Sequence, residues 1–144
     1  MKQKIVFILA ILVLLFIWGQ SLLPQAVSAR ESGWITLNIV RPLLSLFGIN
    51  TISGNLVRKL AHVSEFFVLS TLVTLLFRGK ILKSLFICFI IAFLDESIQL
   101  FSGRGSQIRD VWIDLIGVGI GLAVGFLILF IRKRLREKTE HENE

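Results

Sequence analysis

Four stretches of the chain are apolar over about the length a helix needs to cross the roughly 30 Å of hydrocarbon in a bilayer. They run from Ile5 to Leu23, from about Val57 to Phe77, from Ile81 to Leu100 and from Val111 to Ile131. A lone strand would leave its backbone N–H and C=O groups unpaired in lipid, so each stretch reads as a helix. In a chain of 144 residues four such helices leave little else. The expected fold is therefore all-α and integral to the membrane, a four-helix transmembrane bundle. It forms one domain over residues 1–144, with its core at 16–131 and a charged cytoplasmic tail at 132–144.

Composition supports this and excludes the alternatives. Mean hydropathy is +0.78, with 54% hydrophobic and 18% charged residues, whereas soluble domains carry about 25% charged. A soluble globular domain and a disordered chain are both excluded. Cys88 is the single cysteine, which excludes a disulfide-stapled module. The net charge of +6 does not point to nucleic acid, because the basic residues flank the apolar runs and no soluble basic domain is present to hold DNA or RNA.

Orientation follows from Lys and Arg. With the N-terminus inside, the cytoplasmic set is Lys2, Lys4, Arg78, Lys80, Lys83, Arg132, Lys133, Arg134, Arg136 and Lys138. The outer set is smaller: Arg30, Arg41, Arg58, Lys59, Arg104 and Arg109. Both termini are therefore expected in the cytoplasm of a bacterial cell, with the chain multi-pass in the plasma membrane. A competing reading makes the first run a signal peptide cleaved after Ala29, although the run is long for an h-region.

Between the first two spans, Trp34, Leu37, Val40, Leu44 and Phe47 recur at helical spacing. Ser28 and Glu31 have capping-box spacing, Gly48 is placed to end the helix, and Pro42 is expected to kink it. The segment reads as an outward-facing amphipathic helix lying in the interface, with Trp34 as its anchor.

The residues that bear on function are ionisable ones at the edges of the spans. Lys59, His62 and Glu65 open the second span, Asp95, Glu96 and Gln99 close the third, and Arg104, Arg109, Asp110 and Asp114 lead into the fourth. In this topology all of them lie in the outer leaflet. At 100° per residue, Asp110, Asp114, Gly117, Gly121 and Gly125 fall within about 80° of one another. Cys88, Ala92, Asp95 and Gln99 fall within about 60°. The glycine spacing is a small-xxx-small packing face, so the aspartates that share it point into the bundle. That face can serve helices of one chain or of two, which leaves open a homo-oligomer through Gly117, Gly121 and Gly125. A single Asp, Lys or Arg at mid-membrane costs roughly 2.5–3.5 kcal/mol on insertion scales, so the cluster has to satisfy itself at the mouth of a polar cavity.

Three stretches carry a resemblance. Lys59-Leu-Ala-His62-Val-Ser-Glu65-Phe-Phe, Asp95-Glu96-Ser-Ile-Gln99-Leu-Phe, and Gly103-Arg104 through Asp110-Val-Trp-Ile-Asp114-Leu-Ile-Gly117 resemble, in order and separation, the signatures of the VanZ-like family of small bacterial membrane proteins. Ser21 and the region of Ser28 and Ser32 resemble the family's serine-containing segment more loosely. The resemblance implies a membrane protein associated with resistance to the glycopeptide teicoplanin. Asp114 stands where the family often has Asn, which adds a negative charge.

The expected chemistry has two forms. A binding protein would hold a membrane lipid headgroup or a lipid-linked envelope precursor in an outer-leaflet pocket, with Lys59, Gln99, Arg104, Arg109 and Asp114 as ligand-binding residues. A membrane enzyme, a hydrolase or transferase, would act on a lipid or polyprenyl phosphate, with His62, Glu65, Asp95, Glu96 and Asp110 as acid–base candidates. A transporter fits less well, because no ionisable relay continues to the cytoplasmic half. A divalent metal held by His62, Glu65 and the aspartates is an alternative on ligand type, but no HExxH or CxxC spacing supports it, so neither a metal nor a cofactor is expected.

Overall fold

The computed structural model describes residues 2–48, 51–103 and 108–141. It is helical, with no strand among the described residues. The elements in chain order are α1 (Lys2–Ser21), α2 (Gln25–Ile35), a five-residue π-helical turn (Thr36–Val40), α3 (Arg41–Ser45), α4 (Gly54–Leu76), α5 (Ile81–Phe101) and α6 (Ile108–His141). Among the described residues three helices, α1, α4 and α6, are long and apolar enough to cross a membrane. The fourth long helix, α5, carries Lys83, Asp95 and Glu96 within its apolar run.

Side chains are distributed inside-out. Phe7, Ile8, Leu12, Phe16, Phe86, Phe93, Ile116 and Phe130 are exposed, while Ser21, Ser70, Thr74, Ser84, Asp95, Gln99 and Asp114 are buried. In water such a surface would be one continuous apolar patch. In hydrocarbon the same arrangement is favourable, since lipid solvates Phe and Leu but cannot hydrogen-bond a carboxylate.

Helix α4 is the centre of the packing: α1, α2, α5 and α6 all lie against it. The inward seam of α1 runs through Ala10, Ile17 and Ser21, at close to the 3.5-residue repeat of two helices packed side by side. On α5 the buried residues Ser84, Cys88, Ala92, Asp95 and Gln99 form one stripe, which is small toward the middle and polar toward the C-terminal end. The core joins Ile17, Phe66, Leu69, Val73, Cys88, Ala92, Val118 and Leu122.

The closest helix pair is α4 and α6, and glycine permits it. A Cβ on Gly117 would overlap the Val63 carbonyl, and one on Gly121 the Phe67 carbonyl and the Ser70 hydroxyl. At Gly125 it would sit 2.8 Å from Thr74 Cβ. The Thr71 hydroxyl lies 2.8 Å from the Phe67 carbonyl and 3.1 Å from the Gly121 carbonyl, bridging the two helices. The small-xxx-small face of these three glycines is thus packed against α4 of the same chain.

Helix ends follow local chemistry. The Ser53 hydroxyl accepts the Leu56 N–H at 3.2 Å and caps α4. Between α4 and α5 the chain reverses through Arg78 and Gly79, both left-handed at φ 51° and 78°. That conformation suits Gly79 and is uncommon for Arg78. Helix α6 continues well beyond Ile131 through the basic tail. Exposed pairs at helical spacing, Lys133–Glu137 and Arg136–Glu140, support it there.

The segment after α1 departs from its expected form at two points. Ser28 is not a cap: the helix starts at Gln25 behind Pro24, and Ser28 is buried inside α2. Pro42 disturbs the helix by widening it. The Arg41 N–H reaches back five residues to the Thr36 carbonyl, which relieves the crowding between a proline ring and the carbonyl four residues earlier. Pro42 itself lies in the first turn of α3, where its missing N–H is tolerated. Trp34, Leu37 and Phe47 are exposed, Val40 and Leu44 are half-buried, and Gly48 at φ 76° follows the last turn.

Gly121→Ala is expected to destabilise the protein by about 1–3 kcal/mol through overpacking against α4. Gly119, where an added Cβ would meet nothing within 4 Å, should accept Ala without loss. Thermal unfolding of the two variants in detergent checks the contrast.

Candidate functional site

Alternating helix directions bring the C-terminal ends of α1 and α5 beside the N-terminal ends of α4 and α6. Polar residues far apart in sequence therefore meet at one end of the bundle. Asp95 is completely buried there. Its Oδ1 accepts the Ser21 hydroxyl at 2.6 Å, and its Oδ2 accepts Gln99 Nε2 at 2.8 Å. Gln99 Nε2 is also 3.4 Å from Ser21 Oγ. The Ser102 hydroxyl donates to the Ser21 carbonyl at 2.9 Å and approaches the Gln99 carbonyl at 3.0 Å, tying the end of α1 to the end of α5.

On the other side of the cluster, His62 of α4 faces two carboxylates. Its Nδ1 is 3.6 Å from Asp114 Oδ1 and 3.9 Å from Glu65 Oε2. These separations are charge contacts, too long for hydrogen bonds. Asp114 is 1% exposed, and its Oδ2 has no hydrogen-bond partner among the described residues. Asp95, Glu96, Glu65 and Asp110 all lie near enough to act on Asp114 with like charge. One ligand-type atom from each of His62, Asp95 and Asp114 can be chosen so that all three lie within 4.8 Å of one another.

Two cavities meet at this cluster. A small polar one, about 70 Å³, is lined by Gln25, Arg58, Lys59, His62, Glu96, Gln99, Asp110, Ile113 and Asp114. A much larger groove, about 730 Å³, runs between α1, α2 and α4. Its walls include Phe16, Val27, Trp34, Ile35 and Val57, and its polar residues include Gln20, Glu31, Arg58, His62 and Glu65. Arg58 and His62 line both. The groove has the size of a ligand pocket, in the range of about 300–1,000 Å³. The small cavity has room for a few waters or an ion.

Of the residues singled out from the sequence, His62, Asp95 and Asp114 converge most closely, and Gln99 joins them through Asp95. Glu65 is half-buried beside His62, and Glu96, Asp110 and Lys59 line the small cavity, Lys59 from an exposed position. Arg109 is exposed and is not among the residues lining either cavity. Arg104 lies outside the described residues. Two participants carried little signal in the sequence. Ser21 stood out only through a loose family resemblance, and Arg58 only as one of the outer basic charges. Their shared level with the other ionisable groups was the available clue.

Exposed apolar helices around a buried ionisable cluster define a membrane protein with transmembrane helices and a polar site at one end. The chain belongs to the VanZ/LLP1 family, whose model matches residues 5–131. It is 39% identical over 84 residues to the uncharacterized membrane protein YwnJ of Bacillus subtilis (strain 168), a match covering 58% of this chain and 58% of that one. No solved structure matches the chain significantly.

Ser21→Ala takes a donor from a completely buried carboxylate. The expected cost is about 1–3 kcal/mol, read as a lower melting temperature in detergent. Ser45→Ala, whose hydroxyl bond is exposed, should leave the melting temperature unchanged.

Proposed function

We propose that the protein binds an amphiphile in the outer leaflet, a phospholipid or a lipid-linked envelope precursor, and that it spans the plasma membrane four times with both termini in the cytoplasm. The observation that carries this reading is the sharing of Arg58 and His62 by a largely apolar groove and a small polar cavity. A ligand with an acyl or prenyl chain along α1, α2 and α4 would present its headgroup to those two residues and to Lys59. Arg58 supplies a planar donor set suited to phosphate. The topology rests on the excess of Lys and Arg at the other end of the bundle. The fourth crossing is α5, 21 residues long, whose Asp95, Glu96 and Gln99 turn inward. Helix α1 supplies Ile17 to the core and Ser21 to the cluster, so cleavage after Ala29 would remove both. In this reading, changed teicoplanin susceptibility comes from altered access of the drug to a lipid-linked target.

Lipid retained by the purified protein, measured by native mass spectrometry, tests the binding. Arg58→Ala is expected to weaken retention of anionic lipid by roughly 10- to 100-fold, as loss of a charged hydrogen bond of about 1.5–3 kcal/mol does. Equal retention by the variant and the parent would argue against the headgroup site. Orientation is checked in a Cys88→Ala background by a membrane-impermeant thiol reagent. Ser53→Cys should label in intact cells, and Lys80→Cys only after permeabilisation.

A second reading, an enzyme acting on the bound lipid phosphate, is favoured by one observation: His62 stands between Glu65 and Asp114. That is an arrangement suited to moving a proton at a reacting headgroup. Glu65→Gln would then preserve lipid retention and abolish turnover, seen as loss of a changed lipid in envelope extracts. Binding without any altered lipid supports the first reading.

A further inference from the structure

The structure assigns a divalent transition-metal site to His62, Asp95 and Asp114, of the Mn²⁺ or Zn²⁺ class. The inference shares His62 and the small polar cavity with the lipid-binding reading but requires no lipid, and it runs against the absence of any metal motif in the sequence. The ligands come from α4, α5 and α6, so no local spacing could announce them.

Geometry comes first. His62 Nδ1 and Asp114 Oδ1 are 3.6 Å apart, close to the roughly 3.4 Å between ligands held about 2.1 Å from one tetrahedral ion. Asp95 brings a carboxylate oxygen within 4.8 Å of ligand atoms of both. Asp114 is 1% exposed, and its Oδ2 is buried with no hydrogen-bond partner among the described residues. A buried carboxylate oxygen left so is costly unless something electropositive occupies the space before it. The 70 Å³ polar cavity opens on His62 and Asp114, leaving space for water in the remaining coordination positions.

Charge and support agree with geometry. Carboxyl groups of Asp95, Glu96, Glu65 and Asp110 surround Asp114, and the His62 imidazole lies 3.6 Å from it. A neutral imidazole, two carboxylates and a divalent cation sum to zero, which suits a site surrounded by hydrocarbon-facing helices. Ser21 and Gln99 donate to the two oxygens of Asp95, and a carboxylate oxygen that accepts one hydrogen bond can also ligate a metal. Such outer partners commonly orient metal ligands. Mixed imidazole and carboxylate donors suit Mn²⁺ or Zn²⁺ better than Mg²⁺ or Ca²⁺, which favour oxygen alone.

The test uses the full chain purified in lipid-free detergent and stripped with chelator, so that its outcome does not depend on lipid binding. Mn²⁺ is titrated in, and loss of the free-ion electron paramagnetic resonance signal is followed. One equivalent should bind, be displaced by Zn²⁺ and resist excess Mg²⁺. His62→Gln and Asp114→Asn should lose it. Ser21→Ala, a positioning change, should weaken Mn²⁺ affinity by roughly 10- to 100-fold, and Glu137→Gln in the exposed tail should bind like the parent. Failure of the parent chain to bind Mn²⁺ or Zn²⁺ overturns the site without requiring any variant to fold. Equal displacement by Mg²⁺, or unchanged binding by His62→Gln and Asp114→Asn, overturns it as well.

Discussion

Hydrocarbon offers no hydrogen bonds, and the whole arrangement follows from that. Each long helix must keep its apolar side chains outward and find internal partners for whatever polar groups it carries. The bond from Ser21 to Asp95 shows the constraint at its sharpest. A carboxylate completely buried in α5 is matched by a hydroxyl 74 positions away in sequence and by Gln99 one turn on. That match joins α1 to α5 at the same end where α4 and α6 contribute His62 and Asp114.

Close packing of α6 on α4 governs how tightly the cluster can be drawn. Gly117, Gly121 and Gly125 bring the α6 backbone against the carbonyls and hydroxyls of α4. Asp114 sits one turn before Gly117 on the same face, so the approach that seats the glycines also carries its carboxylate toward His62. Packing and site are therefore coupled: loosening the glycine seam would withdraw Asp114 from the cluster. The α2 segment does something different. It stands off from α1 and α4 over part of its length, which leaves the apolar groove beside the polar end.

Much of this was legible in the residues. Long apolar runs fix helices in lipid, and the phase of Asp114 against three glycines places it on a packing face, where the structure has it buried. The ends of α5 and α6 read correctly to within a few residues except for the tail, where paired charges carry α6 onward. Less was legible where several local signals competed. Ser28 and Glu31 had cap spacing, but Pro24 starts the helix earlier and Ser28 packs inside. Pro42 signalled disturbance, but only the structure shows it taken up by a widened turn. Ser21 and Arg58 gain their meaning from neighbours that no spacing along the chain reveals.

Sequence alone determined that the chain is a helical membrane protein of the VanZ type, where its long helices lie, and that its ionisable residues gather at one level. Those properties depend on hydrophobic length and helical period, which are local. Tertiary structure decided which carboxylate meets which donor, that the glycine face is used within the chain, and that His62 and Arg58 stand between an apolar groove and a polar cavity. These depend on how four helices rotate and slide against one another, and that is set by side-chain volumes meeting across the bundle rather than by any order along it.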